Sequence, residues 1–105
     1  MKKRDRIRNI LKRRILVLDG ATGTELQKRG MPGGVCPELW CLENPTVIQE
    51  VQNEYRAAGS DIVYTCTFGG NRFKLAEFKA GNVREVNRDL ARISRKVLGP
   101  KTLMA

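Results

Sequence analysis

A carboxylate that directly follows an unbroken apolar run must be solvated, paired or put to use. Asp19 is in that position, behind Ile15-Leu16-Val17-Leu18 and ahead of Gly20-Ala21-Thr22-Gly23-Thr24. Glycines in such a loop let the backbone turn and come close to a ligand, and the turn leaves N–H groups free to receive an anion. Thr22 and Thr24 add hydroxyls beside them. The loop could hold a carboxylate or a phosphate while Asp19 takes a cationic group, or Asp19 could cap the loop. The nucleotide motifs do not fit, because Gly20 to Thr24 lacks both the P-loop lysine and the G-x-G-x-x-G spacing.

A second rim of polar and aromatic residues follows Ile62-Val63-Tyr64, in the order Thr65-Cys66-Thr67-Phe68-Gly69-Gly70-Asn71. Asn71 could serve a ligand or cap the helix expected after it. Four residues separate Cys36 from Cys41 and Cys66 is distant, a spacing that can bind zinc. A structural zinc site takes four ligands, however, and the chain has no histidine. The cysteines are therefore read as reduced thiols, with Cys66 a small buried apolar side chain.

Both candidate loops need strands to deliver them. Ile15 to Leu18 is continuous rather than alternating, which suits a strand covered on both faces in a parallel sheet. Ile62 to Phe68 is rich in β-branched and aromatic residues and reads as a second strand. Thr24 to Lys28 can form a short helix, with Thr24 as a possible cap and Gly30 as its stop. Met31 to Cys36 is an irregular loop that Leu39 and Trp40 pin to the body. The next helix is expected from Pro45 to Ala58, with Asn44 as N-cap, Gly59 as stop, and Val47, Ile48, Val51, Tyr55 and Ala58 as its apolar stripe. A short helix over Asn71 to Phe78 and a longer one over Asn82 to Leu98 follow, the latter presenting Val83, Val86, Leu90, Ile93 and Val97. Gly99-Pro100 closes it, and Thr102 to Ala105 begins a third strand. Strand, helix, strand, helix and strand fragment make a parallel α/β succession, whose ligand sites collect at the carboxyl ends of the strands.

The net charge of +9 is concentrated in the head. Residues 1–14 hold eight basic residues against Asp5 alone, which accounts for +7 of it. Ile7, Ile10 and Leu11 share one face of a short basic helix, which is expected to pack its apolar edge on the domain. Nucleic-acid binding is the competing use of this charge, though no aromatic residue is interleaved to stack on bases. A transit peptide is another, though the head lacks serine. No apolar window reaches membrane-span length and no secretory core follows the head, so a cytoplasmic location without membrane contact is expected.

Three stretches carry a family resemblance: Leu18-Asp19-Gly20-Ala21-Thr22-Gly23-Thr24-Glu25-Leu26-Gln27, then Tyr55-Arg56-Ala57-Ala58-Gly59-Ser60-Asp61-Ile62-Val63, then Thr65-Cys66-Thr67-Phe68-Gly69-Gly70-Asn71-Arg72 with Lys74-Leu75. They resemble the opening of a homocysteine S-methyltransferase domain, and among these the homocysteine-binding module of cobalamin-dependent methionine synthases. The resemblance implies a (β/α)8 barrel of the TIM type. It assigns the homocysteine amino acid moiety to Asp19 with the backbone of Gly20, Ala21, Thr22 and Gly23, and places Thr67 and Phe68 on the same mouth. It also implies zinc held by three cysteines on later strands, so that Cys36, Cys41 and Cys66 are not those ligands. The family often carries asparagine where this chain has Cys66. Methylcobalamin is a possible methyl donor, and cobalamin or folate domains are possible partners.

The chain is thus expected to comprise a basic helix over 1–14 and, over 15–105, about two and a half βα units of the barrel. It would supply part of the homocysteine-binding mouth, with no catalytic residue and no metal ligand of its own. A non-enzymatic basic nucleic-acid-binding module and a piece of a phosphate-binding barrel enzyme are the alternatives. The isolated chain should show no homocysteine methylation and little cooperativity on heating; a sharp thermal transition would refute the fragment reading.

Overall fold

In the computed structural model, which describes residues 2–105, the helices run α1 (Lys3–Leu11), α2 (Gly23–Lys28), α3 (Pro37–Glu43), α4 (Pro45–Ala57), α5 (Arg72–Glu77) and α6 (Val83–Leu98). Two short strands, β1 (Ile62–Val63) and β2 (Leu103–Met104), pair in parallel with Ile62 opposite Leu103 and Val63 opposite Met104. Leu18 adds a single parallel bridge to Ile62 on the other side of β1. The order of segments across the sheet therefore follows the order along the chain, as parallel crossover units require.

The helix boundaries follow local chemistry. Asn71 and Asn82 accept hydrogen bonds from the backbone N–H groups of Lys74 (2.9 Å) and Glu85 (3.2 Å), so both cap the helices that follow them. Pro45 opens α4, and Gly99 closes α6 at φ 72°, in the left-handed region. Two expected caps are corrected. α2 starts at Gly23, with Thr22 rather than Thr24 before it, and Thr22 makes no side-chain cap bond. Asn44 does not cap α4; its amide donates back to the Trp40 carbonyl at 3.0 Å and closes α3 instead. α3 itself was not expected, because its opening proline follows a glycine-rich loop without helical periodicity.

The core lies between the helices and one side of the sheet. Leu26, Cys41, Ile48, Val51, Leu75 and Leu90 are buried there, with Leu39 and Trp40 half-buried against them as anticipated. On α4 the buried positions are Ile48, Val51 and Gln52, while Ala58 is exposed. Gln52 donates to Ser94 Oγ on α6 (2.7 Å) and to the Tyr64 carbonyl beyond β1 (2.9 Å), so a polar residue on the buried face ties three elements together.

The strands depart most from expectation. Ile15 is 84% exposed, Val17 52% and Leu18 50%, so the run is not covered on both faces. The helices cover one face, and no other element of the described residues lies over the rest. The second strand is shorter than expected: β1 is Ile62–Val63, its hydrogen bonding to the Ala105 backbone reaches Thr65, and Cys66 at φ 58° ends the extended path. α1 buries no residue: of its three apolar side chains Ile7 and Leu11 are exposed and Ile10 is half-buried, so the head makes a much smaller contact than its apolar spacing implied. The radius of gyration, 14.5 Å, exceeds the roughly 13 Å of a compact 100-residue domain, consistent with a sheet open on one side. Among the described residues no helix is long and apolar enough to cross a membrane.

The first apolar run is nevertheless held in place at its amino end. Asp61 accepts from the Val17 N–H (2.9 Å) and from Arg14 Nη1 (2.8 Å), and these bonds, the Val17 one foremost, keep its carboxyl below the usual range. With the folded pKa below the unfolded one, this stabilisation is present above about pH 4 and is lost as the pH falls through the depressed value. The Val17 amide resonance should therefore titrate with Asp61 at acid pH and become insensitive there in Asp61→Asn. A wild-type Val17 amide that ignores acid would show that the anchor does not form.

Candidate functional site

The carboxyl ends of the Leu18 segment and of β1 lie side by side, which brings the two candidate loops to one end of the sheet. Asp19 donates its own N–H to the Ile62 carbonyl (3.0 Å), and its Oδ2 accepts from the Tyr64 N–H (3.2 Å). Its Oδ1 is buried with no partner among the described residues. Burial pushes the Asp19 carboxyl above its ordinary 3.8, a rise that the bond from Tyr64 only partly opposes. An acid held this way is short of one interaction, and a cationic group would supply it.

The loop after Asp19 is positioned by α4. Tyr55 donates its hydroxyl to the Ala21 carbonyl (2.7 Å), and its ring lies against Gly20, where an added Cβ would come within 3.1 Å of the hydroxyl. The N–H groups of Gly20, Ala21 and Thr22 have no hydrogen-bond partner among the described residues. Gly23 begins α2 with open space around it. Arg29, at the end of α2, pairs with Glu25 (2.8 Å) and with Glu54 on α4, which fixes the far end of the same helix.

A cleft of about 560 Å³ opens between this loop and the second rim. Thr22, Gly23, Thr67 and Phe68 line it, as do Tyr64, Cys66, Pro37, Glu38 and Ala105. Four of the seven expected site residues thus meet on one surface. Asp19, Gly20 and Ala21, which precede Thr22 and Gly23 in the chain, lie outside the lining, Asp19 half-buried and Gly20 and Ala21 exposed. Phe68 is fully exposed on the rim, and Thr67 is bound to Thr65 through their hydroxyls at 2.8 Å. Such a volume suits a small molecule, and the lining is mainly apolar with a few convergent polar groups.

Glu38 is the residue that the sequence pattern did not mark. It is 4% exposed, on α3, yet it borders the cleft. Its carboxylate accepts from the Gly69 N–H (2.7 Å) and from the Cys36 thiol (3.3 Å). A Cβ on Gly69 would fall 2.9 Å from Glu38 Oε2, and one on Gly70 would fall 2.6 Å from Asn87 Oδ1, so a side chain at either position would displace the polar group opposite it. No group of three or more His, Cys, Asp or Glu side chains among the described residues is arranged to hold a metal ion. The three thiols are free and buried, and zinc does not fit this set.

Parallel strands delivering an undercoordinated acid and an open backbone loop to a cleft make an α/β arrangement with its cleft at the strand ends. The sequence profile described as homocysteine S-methyltransferase matches residues 16–102. The chain is 34% identical over 98 residues to a methionine synthase of Mycobacterium tuberculosis, and 34% over 96 residues to one of Mycobacterium leprae. These alignments take in 85% and 83% of this chain but 8% of each relative, so the chain spans a small part of their length. A homocysteine methyltransferase from Escherichia coli, solved in its metallated form, superposes with a TM-score of 0.75 at 26% identity, over 87% of this chain and 33% of that one. The chain belongs to the homocysteine S-methyltransferase family.

The raised pKa of Asp19 carries a sign. Its folded value lies above its unfolded one, so the fold is favoured by the protonated acid and loses stability as the pH rises from 3.8 through the raised value. Titration of the Asp19 carboxyl carbon should give a midpoint above 3.8, and Asp19→Asn should remove the dependence without weakening the fold. A midpoint at or below 3.8 would mean that the carboxylate is hydrated and its burial is wrong.

Proposed function

We propose that these residues form the amino acid end of a homocysteine site in a (β/α)8 methyltransferase barrel that transfers a methyl group to the homocysteine thiolate to give methionine. The observation that carries this reading is Asp19, with one oxygen bound to the Tyr64 N–H and the other buried without a partner. An ammonium group beside that oxygen would complete its hydrogen bonding and offset the desolvation that now raises its pKa. The N–H groups of Gly20, Ala21 and Thr22 would then receive the carboxylate of the same molecule, as backbone nests receive anions. Thr67 and Phe68 would border its side chain, the hydroxyl of Thr67 held by Thr65.

The chain's contribution is binding and orientation. A thiol aimed along the cleft from a fixed amino acid end meets its methyl donor in one geometry, and that positioning lowers the entropic part of the barrier. Zinc, held by cysteines on later strands as the family resemblance implies, would supply activation of the sulfur. Methylcobalamin carried by another domain is one donor compatible with the family resemblance, which is shared by users of other methyl donors. A phosphate-binding barrel would use the same N–H groups but has no use for Asp19, whose negative charge repels the ligand.

Homocysteine titrated into the protein should move the amide resonances of residues 20–23 and 67 and pull the Asp19 midpoint down. A hydrogen bond to a charged group contributes about 1.5–3 kcal/mol, so Asp19→Asn should weaken binding by about ten- to a hundredfold. Unchanged binding in that variant, or displacement of homocysteine by inorganic phosphate, would overturn the assignment.

A further inference from the structure

Two of the three buried thiols stand in direct contact. Cys41, on α3, is fully buried, and its Sγ lies 3.8 Å from Sγ of Cys66, which sits just past β1. Cys66 is 9% exposed and borders the cleft, so one member of the pair is reachable from solvent and the other only through it. Cys36 is engaged elsewhere, its thiol donating to Glu38 at 3.3 Å. A disulfide needs a sulfur separation of about 2.05 Å, so the pair must close by less than about 2 Å. Cys66 is also held at φ 58°, a conformation unusual for a residue with a side chain, on the segment that forms the cleft rim.

We propose that Cys41 and Cys66 form a reversible disulfide by exchange with a low-molecular-weight disulfide entering the cleft, and that this bridge ties the rim to α3. Cys66 gives its proton to solvent, and its sulfur attacks one sulfur of the small disulfide. That bond breaks, releasing one small thiolate and leaving a mixed disulfide on Cys66. Cys41 then loses its proton and attacks Cys66 Sγ, displacing the second small thiolate. Both released thiolates take up protons. The two protein thiols are oxidised to one disulfide, and one small disulfide is reduced to two thiols. In the reduced protein, contact with the Cys66 thiol and burial raise the Cys41 thiol above its ordinary pKa; once Cys66 is a mixed disulfide, burial and the Glu38 carboxylate still disfavour the Cys41 thiolate, so the second step quickens with pH.

Closing the pair draws Cys66 toward α3, and with it Thr65 and Thr67, which are joined through their hydroxyls. The inference does not depend on which small molecule occupies the cleft. It is tested on the full chain equilibrated in oxidised and reduced glutathione at stepped ratios, then alkylated, digested and mapped by mass spectrometry. The expected result is one internal bridge, Cys41 to Cys66, in at least about tenfold excess over either pairing with Cys36. It should survive in Cys36→Ser, disappear in Cys66→Ser, and shift the amide resonances of residues 65–68 when it forms. Three alkylated thiols at every ratio, glutathione adducts on Cys66 without the internal bridge, or bridges spread over all three pairings would each overturn the proposal.

Discussion

The structure depends on a short line of hydrogen bonds that passes through one residue of the sheet exit. Tyr64 gives its N–H to Asp19 and its carbonyl to the buried amide of Gln52, and Gln52 in turn holds Ser94 on α6. The placement of the acid is therefore set from the inside of the helical layer. Gln52 is buried where it reaches both partners; its two amide protons are used, while its Oε1 is buried without a partner among the described residues. The mouth inherits the rigidity of the α4–α6 packing, although the mouth itself is made of loop.

Much of the helical layer was legible in the sequence because the information is local. Asn71 and Asn82 announce the helices they cap, and the spacing of Val86 and Leu90 announces which side of α6 is covered. The strands were less legible. Whether Ile15 to Leu18 is buried is decided by what stands beside it, and the exposure of Ile15 follows from its surroundings among the described residues rather than from its own residue type. The second strand was overdrawn for a different reason, since its β-branched run continues through Thr65 while the backbone turns out of the sheet at Cys66.

The candidate site divides in the same way. Asp19 could be singled out because an acid after four apolar residues is a local anomaly. Tyr55 was read as part of an apolar stripe, which accounts for its ring but not for the bond from its hydroxyl to Ala21. Glu38 escaped notice because it follows a glycine- and proline-containing loop in which charged residues are ordinary, and its burial arises only when α3 folds over Gly69. The four-residue spacing of Cys36 and Cys41 was informative only negatively, while the contact that matters joins residues 25 positions apart.

The approach of Gly69 and Gly70 to Glu38 and Asn87 has an evolutionary consequence. Each glycine faces the end of a particular side chain across a gap narrower than an ordinary methyl contact, so a larger residue there displaces that carboxylate or amide. A larger residue in the loop is best accommodated by a shorter one on α3 or α6. These positions should therefore change in concert among descendants of the same ancestor, and the loop and its two supporting helices form one unit of inheritance.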